Sequence, residues 1–265
     1  MKKLITMIMI LTVAAAFMTG CGGAAGSEST DEAKFVFKHG FDKDYPPYSY
    51  IADDGSTTGF DVELAKAVCD YYGWEYQEVP FNWDAKDAEL KAGSCDCIWS
   101  GFTMNGREDD YLWSKPYSNN TQMILVNKNS GIKTLADLKG KKVGVQTATS
   151  AYDMLNEGDA KDLKDTFAKL EVYETYTVAM QDLEAGGIDA IAIDVTTGNH
   201  QKEGKPDYVY LEEELGSEQY GIGFRKEDTD LCEKVNAALD ALTKDGTVEK
   251  IGQKYPEIYD YLILK

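Results

Sequence analysis

The chain has 265 residues, 43% of them apolar and 28% charged, enough to bury a core in one large or two ordinary domains. That composition excludes intrinsic disorder and collagen-like structure. A net charge of −19 would repel phosphate backbones, so no nucleic-acid partner is expected.

Residues 1–20 read as an export signal, because Lys2 and Lys3 precede an apolar stretch from Leu4 to Met18. That stretch is too short for a simple membrane-spanning anchor, which needs about twenty apolar residues. It ends in Met18-Thr19-Gly20-Cys21, which resembles the lipobox of bacterial lipoproteins, where cleavage precedes a cysteine that becomes lipidated. Residues 21–33 are small and polar, as a flexible tether behind such an anchor would be. The alternative is an ordinary secretory signal followed by a chance cysteine.

Cys69, Cys95, Cys97 and Cys232 remain, with His39 and His200 as the only histidines. No CxxC pair or His/Cys cluster has zinc spacing, so neither a metal site nor a Cys/His nucleophile is expected. Buried thiols are the simpler reading, with one disulfide involving Cys69 or Cys232 as the other.

In chain order, Phe35 to Phe37 reads as a strand and Asp61 to Tyr72 as a helix. Asp61 would be its N-cap, Leu64, Val68 and Tyr72 would share one face, and Gly73 would end it. Cys97 to Trp99, Gln122 to Val126 and Lys142 to Val145 follow as strands, the last running into Thr147-Ala148-Thr149-Ser150 and a helix. Ile188 to Ile193 is a buried strand ending at Asp194, and Asp230 to Leu242 is a helix closed by Gly246. Alternation of this kind predicts an α/β fold with parallel strands.

No Pro- or Gly-rich linker divides residues 35–265. Two extended segments, Asn120 to Lys128 and Glu218 to Arg225, could instead cross between two lobes, which would make the first lobe discontinuous. Two such lobes would form a cleft at the carboxyl ends of their strands.

Three features could meet in that cleft. The chain carries 25 lysines but only two arginines, Arg107 and Arg225. Arg107 follows a glycine-bearing strand-to-loop passage, where a guanidinium can hold a carboxylate by two parallel hydrogen bonds. It could equally pair with Glu108, Asp109 or Asp110. Arg225 sits among Lys226, Glu227 and Asp228 and reads as an exposed surface residue. Thr147 to Ser150 could bind an anion at a helix start or merely cap it. Asp194 could receive an ammonium group or cap the following turn. One cation, one anion-binding helix start and one carboxylate are together complementary to a zwitterion.

The resemblance then becomes specific. Tyr45-Pro46-Pro47-Tyr48, Gly59-Phe60-Asp61-Val62, Leu90-Lys91-Ala92-Gly93 with Cys95-Asp96-Cys97-Ile98, and Gly101-Phe102-Thr103 with Arg107 occur in order. Val143-Gly144-Val145-Gln146, Asp189-Ala190-Ile191 and Tyr220-Gly221-Ile222-Gly223-Phe224 through Asp245-Gly246-Thr247 complete the series. With this order and spacing the mature chain resembles the polar amino acid-binding lipoproteins of ABC importers, family 3 extracellular solute-binding proteins.

The resemblance implies a two-lobed periplasmic-binding-protein fold, with two mixed sheets flanked by helices and joined by two crossing strands. Residues 34–123 plus 222–265 would form lobe 1 and residues 124–221 lobe 2. It implies that Arg107 holds the ligand α-carboxylate, helped by Thr103 and the Ser100-Gly101 backbone, and that Thr149 and Ser150 donate to the same group. Asp194 would receive the α-ammonium, with aromatic walls from Tyr45 and Trp83, while Trp99 reads as core. A family aspartate in the place of Asp42 often meets the tip of the ligand side chain, favouring a glutamine-like or basic ligand. Asp42 could instead cap its loop with Asp44. Two departures stand out: the Thr103 to Arg107 spacing differs by one residue from the usual Thr-x-x-Arg, and Ala148 stands where a glycine is usual.

The function implied is capture of a free polar amino acid for delivery to a permease, with no enzymatic step and no cofactor. The protein would be a monomer, lipid-anchored through Cys21 on the extracytoplasmic face of the cell membrane. The alternatives are a dehydratase-type enzyme on the same scaffold and a sensory or structural surface lipoprotein.

Overall fold

The computed structural model describes residues 34–265, so the export signal, the tether and Cys21 lie outside the described residues. In chain order the elements are β1 (Val36–Asp42), β2 (Asp44–Tyr45), β3 (Ser49–Ile51), β4 (Thr57–Thr58), α1 (Phe60–Tyr72), β5 (Glu75–Phe81), α2 (Lys86–Ala92), β6 (Cys97–Thr103), β7 (Leu112–Trp113) and β8 (Ser118–Asn127). They continue as β9 (Lys142–Gln146), α3 (Ser150–Asn156), α4 (Lys161–Lys164), β10 (Lys169–Tyr173), α5 (Tyr176–Ala185), β11 (Ala190–Asp194), α6 (Val195–Gln201), β12 (Tyr208–Tyr210), β13 (Gly216–Phe224), α7 (Thr229–Lys244), α8 (Thr247–Gly252) and α9 (Pro256–Tyr259).

The strands run β10-β9-β11-β8-β13-β6-β1-β5 across one hydrogen-bonded path. β1 pairs in parallel with β5 and β6, and β9 pairs in parallel with β10 and β11, while β8 and β13 are antiparallel to their neighbours. The two expected crossings are strands that serve both ends of this path. β8 pairs with β13 through Ser118 to Gln122 and with β11 through Gln122 to Val126. β13 leaves β8 at Tyr220 and continues along β6. The mixed sheets are therefore continuous through two long shared strands.

Two apolar clusters, the larger of them shared by both ends of the strand path, fill most of the interior. Ile124, Val126, Val143, Val145, Leu155 and Ala192 pack together on the β9 side, with α3 covering them. Phe37, Leu64 and Trp99 pack with Val235, Leu239 and Ile251 from the other end of the chain. Helix α7 shows why its sequence is helical: Cys232, Val235, Ala238, Leu239 and Leu242 recur at three- and four-residue spacing and are buried. Burying each larger side chain of that stripe contributes roughly 1.5–3 kcal/mol. Trp99 is fully buried, as expected, and all four described thiols are buried and unpaired.

Two expectations change. The N-cap of α1 is Gly59, not Asp61, and a Cβ there would lie 2.3 Å from the Tyr48 carbonyl oxygen. Its φ of +123° adds a second reason for glycine. Asp61 points inward instead, as described below. Arg225 is not an exposed surface residue: its guanidinium donates to the carbonyls of Leu90 and Cys95 and pairs with Asp96 and Asp228, bracing the turn after α2.

Candidate functional site

A narrow cavity is lined by Tyr45, Trp83, Gly101, Thr103, Arg107, Thr149, Ser150 and Asp194. Its walls come from the ends of β2, β6, β11 and the start of α3, where short connections bring polar side chains to the carboxyl ends of strands.

Arg107 stands on the loop after β6, whose turn is closed by its amide bonding to the Met104 carbonyl. The guanidinium lies 5.4 Å from the Phe102 ring centroid and donates to the Thr103 carbonyl at 3.3 Å. Its ion-pair partner is Asp153 on α3, at 2.5 Å, and not one of the three adjacent acids. Asp153 thus orients the planar fork from across the cavity. Gly101 has φ +53°, and an added Cβ would lie 2.7 Å from the Tyr45 ring, so only glycine lets strand and ring close together.

Asp61 explains how that glycine is held. Its Oδ2 accepts from the Gly101 amide at 2.7 Å and from the Tyr117 hydroxyl at 2.8 Å, and it is fully buried. Burial raises its pKa to about 7. The periodicity of α1 gave no hint of this role, because a residue at the first turn reads as a cap.

At the other wall, Thr149 is the N-cap of α3: its Oγ1 accepts from the Tyr152 amide and donates to the Gln146 carbonyl. The preceding Ala148 has φ +56°, the left-handed conformation that a glycine adopts freely. Its carbonyl accepts from the Trp83 indole at 2.9 Å, so Trp83 is both cavity wall and donor.

Asp194 occupies the N-cap position of α6 without a side-chain cap bond, which removes the capping alternative. Its Oδ1 accepts instead from Asn120 Nδ2 at 2.8 Å, Gln122 Nε2 at 2.5 Å and the Tyr220 hydroxyl at 2.6 Å. Oδ2 is buried with no hydrogen-bond partner among the described residues. The Tyr45 hydroxyl meets that of Tyr220 at 3.2 Å.

Eight of the ten expected residues therefore line one cavity; Asp42 and Ser100 do not. Asp42 is 2% exposed, with Oδ1 accepting from the Asp44 amide and Oδ2 from Gln146 Nε2 at 2.9 Å. Burial raises its pKa to about 7. The Ser100 hydroxyl is occupied by Ser49 at 2.6 Å and by the Asp42 amide. Both residues hold the floor beneath β6. Sequence reading missed Asn120, Gln122, Glu218 and Tyr220, which converge on Asp194. The available signal was alternation: Asn120 and Gln122 in β8, and Glu218 and Tyr220 in β13, each stand two apart and so share a face.

His200, Glu203 and Glu257 bring one possible ligating atom each within 4.8 Å of one another. They lie apart from the cavity lining, and His200 Nδ1 already meets Glu257 at 3.2 Å.

The chain matches bacterial extracellular solute-binding proteins, family 3, over residues 37–257, and it belongs to that family. It is 33% identical over 221 residues to the L-cystine-binding protein TcyJ of Escherichia coli (strain K12), covering 82% of this chain and 80% of that one. The arginine-binding extracellular protein ArtP of Bacillus subtilis (strain 168) is 30% identical over 260 residues, covering 96% of this chain and 98% of that one. A solved structure of an ABC uptake transporter substrate-binding protein from Streptococcus pneumoniae with bound histidine matches with a TM-score of 0.80 and 36% identity, covering 83% of this chain and 92% of that one.

Proposed function

We propose that this protein captures a free polar amino acid in the cavity between Arg107 and Asp194 and delivers it to the permease of an ABC importer. The observation that carries the reading is that a fork-shaped cation and a buried carboxylate with a free oxygen line the same small cavity. An amino acid's α-carboxylate would take the guanidinium together with the Thr103 and Ser150 hydroxyls, and its α-ammonium would take Asp194. Binding would close lobe 1 (residues 34–123 plus 222–265) onto lobe 2 (residues 124–221) by twisting β8 and β13.

The preference for a polar ligand rests on the relatives, which are named for binding cystine and arginine or were solved with histidine. It does not rest on Asp42, whose carboxylate is engaged with Gln146. The protein acts as a monomeric receptor without catalysis, anchored through lipidated Cys21 outside the cytoplasm. Among the described residues no helix is long and apolar enough to cross a membrane, so attachment would fall to that cysteine.

A thermal-shift screen against the twenty amino acids plus cystine and ornithine tests this, since a ligand raises stability by RT ln(1 + [L]/Kd). A polar amino acid is expected to give the largest shift and to be recovered unchanged by mass spectrometry. No shift with any of them, or conversion to a product, overturns the reading.

A further inference from the structure

Asp194 is not the only acid at its position. Glu218, from β13, places its Oε1 on the same two donors: Asn120 Nδ2 bonds Asp194 at 2.8 Å and Glu218 at 2.7 Å, and Gln122 Nε2 bonds them at 2.5 and 2.8 Å. Two carboxylates thus converge on two amides of one strand. Asp194 is 2% exposed and Glu218 3%, and each keeps its second oxygen buried without a hydrogen-bond partner among the described residues.

The groups facing the pair are neutral. They are the amides of Asn120 and Gln122 from β8, the hydroxyls of Tyr220 from β13 and Tyr45 from β2, and those of Ser150 from α3, Tyr176 from α5 and Thr196 from α6, which itself bonds Asn120. The one cation lining the same cavity, Arg107, is already paired with Asp153, so two negative charges in this buried site still disfavour each other. Burial and the charge of Asp194 accordingly hold the Glu218 carboxyl above its ordinary range. Carboxylates that share donors in this way disfavour each other's charge.

We propose that Asp194 and Glu218 form one proton-sharing pair in the ammonium subsite, and that a bound amino acid's ammonium group displaces the shared proton. The inference rests on the reading of Asp194 given above. The exchange balances simply: the carboxyl O–H bond breaks, its electron pair stays on oxygen, and the proton passes to buffer. The ligand keeps all its N–H bonds. The pair goes from one negative charge to two as the ligand brings one positive charge. Glu218 is therefore a specificity residue that requires a cationic nitrogen, and an N-acylated amino acid would neither bind well nor release a proton. Affinity is linked to pH, rising by up to about tenfold per pH unit while the pair holds its proton and levelling off above that range.

Titration calorimetry with L-arginine, L-glutamine and L-cystine, in buffers of different ionisation enthalpy, reads the proton directly. At about pH 6 the wild type is expected to release between roughly 0.5 and 1 proton per ligand, and much less at about pH 8, still below the range in which a free α-ammonium group loses its own proton. Glu218→Gln is expected to bind with near-zero release at both pH values. Binding by the wild type without proton release at pH 6 overturns the pair while leaving the receptor reading intact. Unchanged release in Glu218→Gln does the same. Absence of binding to these three and to the rest of the twenty amino acids and ornithine overturns the receptor reading and the pair together. The wild-type pH series decides the matter alone if the variant does not fold.

Discussion

The indole nitrogen of Trp83 donates to the carbonyl oxygen of Ala148 at 2.9 Å, tying the turn that leads into α2 to the residue before the cap of α3. Three further bonds cross the same boundary: Gln146 to Asp42 at 2.9 Å, Thr177 to Asp44 at 2.9 Å, and Arg107 to Asp153. In each, one partner precedes residue 124 and the other lies between 124 and 221. On the proposed division into lobes, these are among the contacts that opening would break.

Trp83→Phe keeps an aromatic wall and deletes the donor. Losing one such hydrogen bond costs about 0.5–1.5 kcal/mol, so affinity is expected to fall between about twofold and tenfold, mainly through faster ligand release. Stopped-flow dissociation kinetics check this; an unchanged off-rate would show that the clasp is not part of the bound state.

The two arginines are expected to separate function from stability. Arg107→Lys keeps the charge and loses the fork, so binding should weaken by tenfold or more with little change in unfolding temperature. Arg225→Lys cannot satisfy two carbonyls and two carboxylates at once, so it should lower stability by about 1–2 kcal/mol with unaltered affinity. Calorimetry and urea unfolding on both variants distinguish these outcomes, and a binding defect in Arg225→Lys would contradict the assignment.

Asp61 predicts an unusual pH response. Its folded pKa, about 7, lies above the ordinary carboxylate value, so between about pH 4 and 7 the folded state holds a proton that the unfolded chain has lost. Its contribution is therefore present at low pH and is lost as pH rises through 7. Buried Asp42 acts in the same direction, whereas His39, lowered by burial to about 4, contributes stability that disappears as pH falls through that value. Asp61→Asn retains an acceptor for the Gly101 amide and does not ionise. Its midpoint in urea should vary less between pH 5 and 8 than that of the wild type, by an amount on the order of 2 kcal/mol. Equal variation in both proteins would place the ionised form of Asp61 in the fold.

Much of this was legible in the sequence because its signals were local. Alternation of β runs and amphipathic helices gave the α/β class, and the helix over 60–72 ended at Gly73 as expected. Arg107 stood out because arginine is scarce, and Asp194 because a charge ended an apolar strand. Asp61, Asp42 and Glu218 were misread or missed because their partners lie far away in sequence. The Gly101 amide is forty residues from Asp61, and Gln146 is over a hundred from Asp42. A strand such as Glu75–Phe81, mostly solvent-facing and carrying a proline, offers little alternation to read. It forms because β1 supplies its partner along seven positions.

The core that joins Phe37, Leu64 and Trp99 to Val235, Leu239 and Ile251 also sets a timetable. Chains are made from the amino end, so β1, α1 and β6 emerge well before α7 and α8, which pack against them. The stretch from β9 to α6 can meanwhile gather its own apolar cluster from residues already made. The earliest elements therefore reach their native packing only after the last helices have been made.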